Sequence, residues 1–106
     1  MKARTFLWIS AALLVCTLST TARADVITDW NQTAIAAMKA ANVGGNPWSR
    51  NMAMVHVAMS DAVNSVQGRY ARYVATGDMA RDALAEAAAA SAARQILLKL
   101  HPGQRA

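Results

Sequence analysis

The string PWSRNMAMVHVAMSDAVNSVQGRY, residues 47–70, is where the architecture of this chain is most legible. Asn46, just before it, is a capping residue type, and Pro47 suits the first helical position, where its missing N–H costs nothing. Gly68 suits the left-handed turn just past a helix end. At about 100° per residue, Trp48, Met52, Val55, Met59, Ala62, Val63 and Val66 gather within about 100° of one another, the width of a core-facing stripe. Met54, Val57 and Ala58 fall outside that stripe, towards the opposite side. A helix that is apolar on two sides wants neighbours on two sides. The string therefore predicts an inner helix, over about 47–66, of an all-α protein.

The flanking segments supply the neighbours. Upstream, a helix is expected over about 26–42, with Val26, Trp30, Ala34, Ala37 and Ala41 on one face and Ile27 and Met38 at its edge. Asn42 and Gly44-Gly45 end it in a short turn. Downstream, residues 68–77 form a connector containing RYARY. Alternating cations and aromatics can bind single-stranded nucleic acid, but two arginines make no basic groove. The expectation is that Tyr70 and Tyr73 pack on the bundle while Arg69 and Arg72 reach for water, with no nucleic acid as partner. Asp78 is the expected cap of a third helix over about 79–100, with Asp82 and Glu86 near its positive end and Lys99 near its negative end. The alanine run Ala87 to Ala90, with Ala92 and Ala93, favours helix and permits close helix contact. Pro102-Gly103 terminates it. No internal repeat and no alternating strand pattern interrupts this three-helix plan.

Residues 1–24 have the three parts of a secretory signal peptide: Lys2 and Arg4, an apolar run from Phe6 to Leu18, and Ala22-Arg23-Ala24 as an A-x-A cleavage site. The run is short of the ~20 residues that a membrane span needs. Bulky Val15 argues against a lipoprotein signal at Cys16. Export to the periplasm or medium is thus expected, with no stable membrane anchor after cleavage. Removing 24 of the 106 residues leaves 82, without a cysteine for a disulfide or a thiolate metal site. Lys2, Arg4 and Arg23 leave with the signal, so the formal charge falls from +5 to +2. The basic balance of the whole chain therefore says little about an anionic partner. A domain of this length buries only a thin core.

Arg50 and the string AMVHVAMSDAVNSVQGRY, residues 53–70, resemble the N-terminal region of secreted bacterial proteins related to vanadium-dependent haloperoxidases. Those proteins belong to the phosphatidic acid phosphatase type 2 superfamily. DWNQTAIAAMKAA, residues 29–41, is similar to their opening helix, and AAAASAARQILLKLHP, residues 87–102, to the helix that follows. The most specific part is AMVH-x-AM-x-DAVN. The resemblance implies the N-terminal scaffold of a larger helical bundle, whose catalytic part would be the missing partner. It implies a phosphoesterase as the full-length parent, or a peroxidase if the parent carries vanadate.

The residues themselves predict no catalytic, cofactor-binding or metal site in this chain. Only His56 and His101 are histidines, and no H-E-x-x-H or similar spacing exists. His56 lies beside the core stripe with Ser60 and Asn64 on the same side. It is read as a hydrogen-bonded histidine at the core edge, the alternative being a polar patch facing a pocket. Ser49-Arg50, His56 and Asp61 mimic the superfamily motif Ser-Arg, five residues, His, three residues, Asp. Here four residues precede Asp61, and Met54 stands where the motif has glycine. On one continuous helix Arg50 and His56 are about 240° apart and cannot converge on one anion. The Lys, six residues, Arg-Pro and Pro-Ser-Gly-His motifs cannot be assembled, since Pro47 and Pro102 are the only prolines. A phosphoryl or vanadate group needs that donor cluster to offset its charge. The expected function is an inactive scaffold fragment that meets the missing bundle or self-associates. The alternative is a free-standing secreted three-helix module that binds a protein through exposed Met and Trp surface.

Overall fold

The computed structural model describes residues 25–77 and 81–105. Three helices carry the fold: α1 over Val26–Ala40, α2 over Gly45–Gln67 and α3 over Ala85–Leu100, followed by a 3-10 turn over Pro102–Gln104. The protein is all-α, with no strand among the described residues. The signal segment expected over 1–24, and the cap expected at Asp78, lie outside the described residues.

α1 opens on Asp25, whose Oδ1 accepts from the Ile27 amide at 3.4 Å. It closes in a Schellman turn. The Asn42 amide donates to the Lys39 carbonyl at 3.0 Å and the Val43 amide to the Met38 carbonyl at 2.9 Å. Asn42 takes the left-handed φ of 53° that this turn requires, and asparagine tolerates it better than most residues. Val43 then folds back onto the core beside Met38. The buried centre of α1 is Ala34 and Met38, both fully enclosed, while Ala41 is exposed. Met38 is therefore at the middle of the buried face, not at its edge, on a helix that packs against both α2 and α3.

α2 begins two residues before the expected start. Gly44 stands at its N-cap with no side-chain cap, and Pro47 sits third in the helix. The shift costs nothing, because none of the first four N–H groups of a helix has an internal acceptor. The other end is as expected: Gly68 is left-handed at φ 64°, and its amide donates to the Asn64 carbonyl at 2.8 Å. Val55 and Met59 are fully buried, and Trp48, Met52 and Val63 lean on the same core.

α3 starts at Ala85, six residues later than expected, with Leu84 extended before it. Arg81 to Leu84 are all exposed. A helical turn with nothing to pack against gains little, since helix stability in proteins comes mainly from the buried face. Where packing begins, the helix begins. Ala89, Ala93 and Leu97, four apart, form its buried stripe. The two alanines let α3 pack closely on α2, its main neighbour. Among the described residues the enclosed core is small: Met38, Met59 and Val55 are the large side chains fully buried in it.

Candidate functional site

Asp61 and Asn64 lie three apart on α2 and so share a face. Both are buried, at 7 % exposure each. Asp61 accepts three successive amides of the connector: Tyr73 at 2.6 Å and Val74 at 2.7 Å, one on each oxygen, and Ala75 at 2.9 Å. Asn64 holds the same connector from both sides of one residue. Its Oδ1 accepts from the Tyr70 amide at 2.8 Å and its Nδ2 donates to the Tyr70 carbonyl. The Asp61 carboxyl is held below the usual carboxylate range, first by the Tyr73 amide, then by those of Ala75 and Val74, with burial opposing and the Arg72 charge assisting. Arg72 itself donates to the Gly77 carbonyl at 2.9 Å.

This clamp corrects the reading of the connector. Its backbone, not its rings, is anchored, and Tyr70 and Tyr73 stand 80 % and 84 % exposed. A carboxylate with three amide donors is already satisfied and has little capacity left for a metal or a proton-transfer role. DAVN, the core of the most specific string, therefore has a structural use. The sequence carried a signal for it: an Asp and an Asn on one helical face, followed by a glycine that turns the chain back over them.

The motif mimic falls apart in space. Arg50 and Asp61 line one groove with Met54, and His56 lines another with Ser60 and Asn64. His56 joins α2 to α1 through an Nε2–Asn31 Oδ1 hydrogen bond of 3.0 Å. It is an exposed histidine at the rim of a groove of about 480 Å³ that also includes Ile27, Val63 and Tyr70. Among the described residues, no three His, Cys, Asp or Glu side chains are grouped to hold a metal ion. No helix among them is long and apolar enough to cross a membrane.

The groove on the Arg50 side is of another kind. It encloses about 430 Å³ between Ala53, Met54, Val57 and Ala58 of α2, Ile96 of α3 and Val74 of the connector, with Arg50 and Asp61 at its polar margin. Its apolar wall is the second side of α2, and the clamp sets one edge of it by holding Val74 in place. The groove can take apolar side chains from a neighbour, and it presents no convergent donors for an anion. No protein-family model matches this chain, and no curated protein or solved structure shows significant similarity to it.

Proposed function

We propose that this chain is the N-terminal scaffold of an exported phosphatase- or haloperoxidase-like protein, without a complete active site of its own. The observation that carries the reading is the second apolar side of α2. Met54, Val57 and Ala58 are only half-buried and line an open groove, although α1 and α3 already cover Val55 and Met59. Taking a Val- or Met-sized side chain from full exposure to full burial is worth on the order of 1.5–3 kcal/mol, and the half-buried Met54 and Val57 forfeit part of that for want of a neighbour. The resemblance of residues 53–70 names the neighbour, a catalytic helical bundle. In this reading the Asp61–Asn64 clamp shapes the docking edge, and the signal segment directs the protein out of the cytoplasm.

The reading is tested by sequencing the locus downstream of codon 106 and assaying the encoded protein. Fusion of this chain to a helical bundle carrying the missing Lys, Arg-Pro and Pro-Ser-Gly-His motifs should yield phosphate-ester hydrolysis or vanadate-dependent bromination. The 106-residue chain alone should yield neither. Activity of the chain alone that disappears in His56→Ala would overturn the proposal. A protein with no such continuation that captures a protein ligand at Tyr70, Tyr73 and Leu84 would replace it with the free-standing module. Those residues are more exposed than Trp48 or Met52, which rest on the core. The mature N-terminus should be Asp25; protein recovered outside the cytoplasm with Met1 intact would remove the signal-peptide part.

A further inference from the structure

The open side of α2 has an internal symmetry. Arg50, Met54, Val57 and Asp61 are spaced by four, three and four residues, and all of them line the groove on that side. Such spacing keeps them in one seam along the helix, as in a coiled coil. Arg50 is exposed, Met54 and Val57 are half-buried, and Asp61 stands at the polar margin. The seam therefore reads cation, apolar, apolar, anion, with its centre between positions 55 and 56. Turned end for end, it is complementary to itself. The three connector amides satisfy the Asp61 carboxylate as an acceptor, but they are neutral and leave its negative charge in place.

We propose that this side of α2 binds a second copy of the chain, the two α2 helices lying antiparallel about a two-fold axis at that centre. In this register Met54 is level with Val57 of the second copy, and Arg50 with Asp61 of the second copy. A two-fold contact repeats every pairing, so both ends match cation to anion. A parallel pair would set Arg50 against Arg50 and Asp61 against Asp61, and like charges select against it. The attraction acts over several ångströms, so Asp61, only 7 % exposed, need not be touched. Burial of Met54, Val57 and the flanking Ile96 and Val74 supplies the adhesion, and the charges set the orientation. From Arg50 to Asp61 the seam spans about 17 Å, which places the contact in the small, weak class of interfaces. The inference rests on the same open side of α2 as the scaffold reading, and names what covers that side while no bundle is attached.

The test uses the full 106-residue chain with its one cysteine removed by Cys16→Ser. Sedimentation at up to about 1 mM should show monomer and dimer and nothing larger, since a two-fold contact closes at two copies. Nitroxide labels on Asn46→Cys and on Gln67→Cys, exposed positions of α2 outside the seam, then read the register. At about 1.5 Å of rise per residue from the shared centre, paired labels should lie about 28 Å apart at position 46 and about 35 Å apart at position 67. Arg50→Ala should weaken the dimer about threefold, and Arg50→Glu about tenfold, because both ends change at once. A monomer throughout, or growth beyond two copies, overturns the proposal. So does any other pair of distances, such as the equal short ones of a parallel contact, and so does an Arg50→Ala dimer as tight as the original. The labelled chains keep the seam intact, so the distances do not depend on the Arg50 variants folding. Loss of the dimer leaves the scaffold reading to its own test at the downstream locus, and failure there leaves the label distances unchanged.

Discussion

The two sides of α2 are made of the same residue types and have different fates. Val55 and Met59 face α1 and α3 and are fully enclosed, while Met54 and Val57, one or two positions away, line an open groove. Hydrophobicity does not separate them, and neither does helix propensity. What separates them is whether an adjoining element is there to exclude water. The comparison shows that an apolar pattern reports which faces of a helix want cover, and only the packed structure reports which of them have it.

The inner side should be the more sensitive to change. Met59→Ala should cost about 2–5 kcal/mol through lost contact and a cavity. That is a large share of the roughly 5–15 kcal/mol that holds a domain together, so thermal melting should show a much lower midpoint or no cooperative transition. A melt close to that of the unaltered chain would mean that the core is loose enough to close over the gap. Asn64→Ala comes next. It leaves both polar groups of Tyr70 without their partner, at a cost of about 1–3 kcal/mol. The cost should show in the melting midpoint, with faster hydrogen exchange confined to the connector.

Acid probes the same clamp without a mutation. The folded Asp61 carboxyl titrates below its ordinary value, so its contribution is complete above about pH 4, the unfolded range, and is lost as pH falls through the depressed folded value. Amide exchange at Tyr73, Val74 and Ala75 should therefore stay protected at pH 4 and open only in stronger acid. Opening at or above pH 4 would show that the three amides do not hold the charge.

The smaller effects lie at the rims. His56→Ala removes one exposed hydrogen bond between α1 and α2, and should cost about 0.5–1.5 kcal/mol in chemical denaturation. Smallest of all in stability should be Met54→Lys combined with Val57→Glu on the open side of α2. Helicity by circular dichroism should be unchanged, and sedimentation should show less self-association. A loss of helicity would mean that this side is already closed within the chain, and the contrast between the two sides of α2 would disappear.

Much of this fold was open to reading from local chemistry. Periodicity placed three helices, Gly68 marked the end of α2, and the two-sided apolar pattern of α2 anticipated its open groove. These are properties of neighbouring residues on one helix, where a spacing of three or four is already a spatial statement. Long-range contact determined the rest. α3 begins at Ala85, after Arg81 to Leu84, which are exposed, and Met38 is fully buried on a helix that packs against both α2 and α3. Tyr70 and Tyr73 face water because Asp61 and Asn64 seize the connector by its backbone. Backbone amides are the same in every residue, so a side chain that binds them leaves little trace in the identities of the residues it holds. Asp61 could be recognised as a clamp only once the chain had folded back over it.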